Sequence, residues 1–286
     1  MISLESERDL RLYQGDAVAV LEALPASLRF QCIYWDPPFF SRKVQAADRG
    51  QFLDRWDSLE AYLAAMQRVW EPMAARLAPE GFFALHCDWH ASHYLKVMGD
   101  RLLGYHNFRN EIVWHYHGRR QAAHTRLNAK HDVILVWAAS KKATMQPLYE
   151  PWDRDYYVRM KRQKVHRDED GREWIWGHRG RGKSHAYRIY LDEVVAQGRA
   201  VDDVWELPII NTSSRERLGY PTQKPLQLLT RLVELLTRPG DWVGDFMAGS
   251  GTTGEAALRL GRRVVLADRN PEAVAIMRAR LSQLAR

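Results

Sequence analysis

One short segment carries the sharpest chemistry. Asp36-Pro37-Pro38-Phe39 closes an apolar run that begins at Phe30. Two adjacent prolines fix the chain and remove two amide donors, so the carbonyls there face outward. A carboxylate beside a fixed carbonyl is a pair of acceptors suited to gripping an amino group, and Phe39 can stack on a planar ring. The same residues also suit an ordinary strand end followed by a proline turn. A second constellation runs from Trp242 to Asp268: strand, glycine turn, helix, strand and a closing carboxylate. Gly249 and Gly251 let the backbone pass close to a ligand, and the helix opening around Ser250 and Thr252 offers unpaired amides. Asp268, at the tip of the next strand, can accept hydrogen bonds from ribose hydroxyls. Asp245, at the tip of the first, suits a ligand with a cationic group and opposes a pyrophosphate. Gly249, Gly251 and Gly254 nevertheless satisfy the dinucleotide spacing G-x-G-x-x-G, so a nicotinamide cofactor and a purely structural glycine turn both stay open.

Three further groups carry less. His86-Cys87-Asp88-Trp89-His90 and His93 match no standard zinc spacing and have no completing cluster. His115 and His117 alternate at strand period, but a single strand cannot make a metal site, so no metal is expected. Cys32 and Cys87 lie in apolar strand patterns and read as buried structural thiols.

These residues need a scaffold, and the chain alternates strands and helices to supply one. The predicted strands are RLYQGD, RFQCIYW, FFALHCD, EIVWHYH, DVILVWAA, DWVGDFM and RRVVLAD. Between them lie helical patterns: AVAVLEALP, the stretch from Ser58 (a plausible N-cap), PLQLLTRLVELL and NPEAVAIMRARLSQL. This predicts an α/β fold with a mostly parallel sheet. The 286 residues suit one large domain, or one domain with an insertion. Between about 141 and 206 periodicity weakens, and charges mix with aromatics. The predicted divisions are therefore 1–140, an inserted region 141–206, and 207–286.

With 46% hydrophobic residues, wholesale disorder is excluded. No apolar run is long enough for a membrane helix. The charged N-terminus lacks the apolar stretch of a secretory signal, so a cytoplasmic protein is expected. Two cysteines exclude a disulfide framework. Forty-two Lys and Arg against 35 Asp and Glu give a net charge of +7, which points weakly to a polyanionic partner. Residues 159–188 hold ten basic and four acidic side chains, a surplus of six, interleaved with Trp174, Trp176 and Tyr187. That mixture suits phosphate contact with base stacking, although charge runs are commonly just solvated faces.

Taken together, the motifs resemble the S-adenosylmethionine-dependent DNA amino-methyltransferases, in the permuted beta class where the Asp-Pro-Pro-aromatic motif precedes the glycine motif. Gln14-Gly15-Asp16 resembles the family's early Gly-Asp element. Asp36-Pro37-Pro38-Phe39 matches its catalytic tetrapeptide, though Tyr is commonest where Phe39 stands. Tyr220-Pro221-Thr222-Gln223-Lys224-Pro225 matches the segment before the cofactor strand, and Asp245 through Thr253 the cofactor loop, with Phe246 and Met247 where the family usually has Pro and Phe.

The resemblance implies a Rossmann-like, circularly permuted fold with a seven-stranded sheet. It implies site-specific methyl transfer to an exocyclic amino group of a flipped base in double-stranded DNA. Adenine N6 is favoured, with cytosine N4 as the close alternative. More distant alternatives are a NAD-dependent oxidoreductase and a non-catalytic DNA-binding module. In this reading Asp36, Pro37, Pro38 and Phe39 are catalytic. Asp16, Thr222, Gln223, Lys224, Asp245, Phe246, Met247, Gly249, Ser250, Gly251, Thr252 and Asp268 hold the cofactor. Arg119, Arg120, Arg179, Arg181 and Lys183 contact DNA. A homodimer and a cognate restriction enzyme remain open as partners.

Overall fold

A computed structural model describes residues 3–46, 51–118, 125–178, 186–282 and 284. The strands are β1 (Ser3–Ser6), β2 (Leu10–Gln14), β3 (Phe30–Trp35), β4 (Lys43–Ala46), β5 (Gln51–Asp54), β6 (Leu77–Cys87), β7 (Phe108–His115), β8 (His131–Ala138), β9 (Tyr149–Glu150), β10 (His166–Arg167), β11 (Glu173–His178), β12 (Ala186–Tyr190), β13 (Arg199–Ala200), β14 (Val204–Glu206), β15 (Trp242–Asp245) and β16 (Arg263–Asp268). The helices are α1 (Ala17–Ala23), α2 (Leu59–Ala74), α3 (Ser92–Gly99), α4 (Arg154–Lys161), α5 (Leu191–Gln197), α6 (Leu226–Leu236), α7 (Thr252–Arg259) and α8 (Pro271–Leu281). The chain divides into two compact units, 1–146 with 203–286, and 147–202. No helix among the described residues is long and apolar enough to cross a membrane.

The larger unit is built on a sheet ordered β1-β2-β16-β15-β3-β6-β8-β7-β14. Strands β2, β16, β15, β3 and β6 are parallel neighbours, whereas β8 runs antiparallel between β6 and β7. The mostly parallel α/β fold is therefore as expected, but the sheet has nine strands among the described residues, where seven were expected. The two additions are edge strands, β1 of four residues and β14 of three. Neither carries an apolar run long enough to be read from the sequence, and each forms by pairing along a strand already present.

The central strands are near-continuous apolar runs because helices cover a parallel sheet on both faces. Phe30, Cys32, Ile33, Tyr34 and Trp35 of β3 are all buried, as are Phe82 through Cys87 of β6. Behind them Trp70 of α2 packs against Trp35, Phe83 and Trp137, at ring separations of 5.4, 5.1 and 5.5 Å. Truncating a buried aromatic of this kind costs about 3–5 kcal/mol. Helix α2 begins at the predicted cap, where Ser58 Oγ accepts from Ala61 N at 3.1 Å.

The smaller unit has its own core of Tyr157, Ile175 and Leu191, with Trp152, Val158, Val165, Ile189 and Val194 packed against it. Its β10-β11-β12 sheet presents Trp176 and Tyr187, each 42% exposed. On the same sheet Arg188 lies over the Trp174 ring at 4.8 Å.

Candidate active site

In a parallel sheet the carboxyl ends of neighbouring strands open on one edge, and ligands bind there. Here β2 ends before Gly15-Asp16, β16 ends in Asp268, β15 ends in Asp245 and β3 is followed by Asp36. Four separate sequence segments thus deliver carboxylates to one cavity of about 1110 Å³. Asp16, Asp36 to Phe39, Thr222 to Lys224, Asp245 to Ser250, Thr252 and Asp268 all line it. Gly251 does not line it. Its place is structural: at φ +75° it turns the chain into α7, and a Cβ there would stand 2.7 Å from Met277. Arg119, Arg120, Arg179, Arg181 and Lys183 lie outside the described residues.

Asp36 is the centre of the arrangement. Its Oδ2 accepts from the buried Lys224 ammonium. Its Oδ1 is buried with no hydrogen-bond partner among the described residues, an arrangement that costs free energy unless a donor arrives. Lys224 Nζ also lies 5.3 Å from the Phe39 ring centroid. Phe39 stacks on His86 at 6.1 Å and 22°. Both His86 nitrogens are committed, Nδ1 to the Tyr34 hydroxyl at 2.8 Å and Nε2 to Asp132 Oδ2 at 3.2 Å. Burial favours the neutral Asp132 carboxyl, but the bond and charge of His86, aided by Lys224 and the Tyr116 hydroxyl, hold it below its ordinary pKa. His86 is therefore the buried floor beneath Phe39.

The loop after Phe39 is clasped by Asp54, which sequence reasoning did not single out. Asp54 is almost wholly buried, and its carboxylate accepts from three successive amides: Phe39 N at 3.2 Å, Phe40 N at 3.0 Å and Ser41 N at 2.7 Å. On the other side the Tyr62 hydroxyl donates to the Pro38 carbonyl at 2.8 Å.

The cofactor-loop residues fall into two sets. Asp245 is buried, with Oδ2 accepting from Thr253 Oγ1 at 2.6 Å and Oδ1 from Met247 N at 3.2 Å. Burial, reinforced by Asp36 and Asp268, pushes its pKa up to about 7. Asp268 accepts from Gly249 N at 2.9 Å and Asn270 N at 2.8 Å, and burial raises it as well. Asp16 caps α1 through Val18 N at 3.0 Å while facing the cavity. Gly249 has φ +51°, and a Cβ there would stand 2.9 Å from the Tyr220 ring.

The remaining predicted residues act on the walls. Gln223 bridges its own loop, accepting from Leu218 N at 2.9 Å and donating to the Glu216 carbonyl at 2.7 Å. Thr252 Oγ1 donates to the Lys224 carbonyl at 3.1 Å and accepts from Arg280 at 2.8 Å, so α7 is tied to the Lys224 segment. Phe246 is buried edge-on to Phe30, and Met247 Sδ accepts from Trp35 Nε1 at 3.3 Å. Cys32 and Cys87 are buried free thiols, and burial pushes both pKa values well up. His115 and His117 gain a neighbour that a single strand did not supply. Glu206, on the adjacent β14, brings its carboxylate so that all three ligand atoms lie within 4.8 Å of one another, though none of the three lines the cavity.

A model of the DNA methylase family matches residues 30–279, most of the chain and both chemical motifs, and the protein belongs to that family. Type II methyltransferase M2.DpnII of Streptococcus pneumoniae is 36% identical over 108 residues, 37% of this chain and 40% of that relative's length. Among solved structures the fold resembles the M1.HpyAVI–SAM complex (TM-score 0.56, 19% identity, 95% of this chain and 100% of that one). It also resembles the cytosine-N4-specific PvuII DNA methyltransferase (TM-score 0.60, 14% identity, 95% of this chain and 86% of that one).

Proposed function

We propose that the protein transfers a methyl group from S-adenosylmethionine to the exocyclic amino group of a flipped base in double-stranded DNA, adenine N6 in preference to cytosine N4. The carrying observation is Asp36, which lines a cavity together with Asp245, Asp268 and the glycine loop and keeps a buried Oδ1 with no hydrogen-bond partner among the described residues. M1.HpyAVI was solved with SAM bound, and the PvuII enzyme is named for cytosine N4, which keeps that base as the second reading.

The residues present fit the cofactor. The cavity wall is rich in carboxylates and suits a cationic sulfonium; a pyrophosphate would meet the same charge as repulsion, which disfavours the nicotinamide alternative. Gly249 keeps the loop clear of Tyr220, and Asp268 at the tip of β16 suits ribose hydroxyls. When bound, S-adenosylmethionine supplies an electrophilic methyl group. An exocyclic amino nitrogen is a poor nucleophile because its lone pair is delocalised into the ring. The Asp36 carboxylate, accepting one N–H beside the Pro37 carbonyl, favours a pyramidal nitrogen with its lone pair turned outward. Phe39, set on His86, stacks the flipped base. Catalysis is then mostly positioning and electrostatics.

The unit 147–202 is the target-recognition insertion in this reading. Its support is the exposed Trp176 and Tyr187, with arginine over Trp174. A second copy of the chain and a cognate restriction enzyme are the further partners. Asp36→Ala should abolish methyl transfer to duplex DNA while leaving S-adenosylmethionine affinity within a few-fold of wild type. Digestion of the product to nucleosides and mass analysis names the base; methylation retained by the variant overturns the reading.

A further inference from the structure

We infer that Asp54 is a positioning residue for the reaction: its carboxylate sets the Asp36–Phe39 segment by capturing the first three amides that follow Asp36. The role rests on the function proposed above. Pro37 and Pro38 have no N–H, so the first donors after Asp36 belong to Phe39, Phe40 and Ser41. All three point at Asp54, with Oδ2 taking Phe39 and Ser41 and Oδ1 taking Phe40. Successive amides converge in this way only when the backbone folds into an anion-binding concavity, and Phe40 supplies the required turn at φ +61°. A left-handed conformation is rare for a bulky residue, so the turn persists because its surroundings impose it.

The surroundings are specific. Phe40 packs on Tyr62 at 5.2 Å, Trp56 meets Tyr62 edge-on at 5.4 Å, and the Tyr62 hydroxyl holds the Pro38 carbonyl. Asp54 and Tyr62 thus hold the same Pro38–Phe39 peptide group, one through its amide and one through its carbonyl. That peptide group carries Phe39, whose ring must meet the base, and lies two residues after Asp36, whose carboxylate must meet the amino group. Because one ångström of misplacement can cost about 100-fold in rate, a buried side chain that acts through the backbone it holds can govern turnover.

Asp54→Asn keeps the shape but turns one of the two acceptor oxygens into a donor that faces the amides. Two measurements on the full chain judge it. By hydrogen exchange, the amides of Phe39, Phe40 and Ser41 should be protected in the wild type and exchange at least tenfold faster in the variant. By steady-state methylation of duplex DNA, kcat should fall 10- to 100-fold while the S-adenosylmethionine Kd changes less than twofold. Unprotected amides in the wild type overturn the clasp without reference to any variant, as does unchanged exchange in Asp54→Asn. Loosened amides with wild-type kcat overturn the positioning role, and so does a parallel loss of cofactor affinity, which marks general destabilisation. Failure of the unaltered protein to methylate DNA defeats the proposed function instead, and the exchange data then decide on the clasp alone.

Discussion

Asp245→Asn should stabilise the ligand-free protein above neutral pH and weaken its hold on S-adenosylmethionine. Burial raises the Asp245 carboxyl from its ordinary 3.8 to about 7. A group that holds its proton more tightly when folded contributes stability that is fully present below about pH 4. That contribution is lost as pH rises through about 7. About three units at 1.36 kcal/mol each make the penalty of the ionised, buried carboxylate on the order of 4 kcal/mol at pH 8. Asparagine removes it while keeping the geometry: its oxygen accepts from Met247 N, and its amide faces Thr253 Oγ1, a hydroxyl able to accept. At roughly 2 °C per kcal/mol for a chain of this size, the variant should melt roughly 8 °C higher at pH 8 and about equally at pH 4. Affinity should move the other way. A sulfonium seated roughly 5 Å from the carboxylate gains about 3 kcal/mol at an effective dielectric of 20, and the neutral thioether S-adenosylhomocysteine gains nothing comparable. Calorimetric titration at pH 8 should therefore show more than tenfold loss for the first ligand and little for the second. A melting difference that is the same at pH 4 and pH 8 refutes the burial argument, and equal losses for both ligands refute the electrostatic one.

Gly249→Ala should cost about 1–2 kcal/mol, because an L-residue is strained at φ +51° and its methyl meets Tyr220. Cofactor titration should show at least a tenfold loss beside that modest drop in melting temperature. Neutralising Arg179, Arg181 and Lys183 together should weaken DNA binding and flatten its dependence on salt while sparing cofactor affinity. A salt slope equal to that of wild type would return those charges to a solvated surface.

What was legible in the sequence was chemistry that sits at strand ends. Asp36, Asp245 and Asp268 each follow a recognisable apolar run, so type and place could be read together. What was not legible is chemistry assembled across the chain. Asp54 lies 13 to 15 residues beyond the amides it binds and carries no motif. Lys224 reaches Asp36 across 188 residues. Glu206 meets His115 because β14, too short to announce itself, pairs in parallel with β7. The charge reading also changes with the fold. The window 159–188 holds a surplus of six positive charges, yet the unit 147–202 contains twelve basic and ten acidic side chains, a net of +2. Arg172 shows why: it pairs with Asp192 and Glu193, both outside the window. In the proposed reading, recognition by this unit draws on the arrangement of its charges and its exposed Trp176 and Tyr187 more than on bulk attraction to phosphate.

The gathering of four carboxylates at one sheet edge would be self-defeating unless each were restrained, and each is restrained differently. Asp36 is paired with an ammonium, Asp16 caps a helix start where the dipole favours negative charge, and Asp268 is held by two amides. Asp245 is held, among the described residues, only by a hydroxyl and one amide, and burial pushes its pKa up to about 7. The unrelieved charge is thus concentrated on the residue at the tip of the glycine strand, between Asp268 at the end of β16 and Asp36 after β3. A ligand whose cation lies between a ribose and a reacting centre would relieve it at that point, and an anionic linker there would aggravate it. The strand order therefore encodes a preference for a sulfonium nucleoside over a dinucleotide, although the glycine spacing itself permits either.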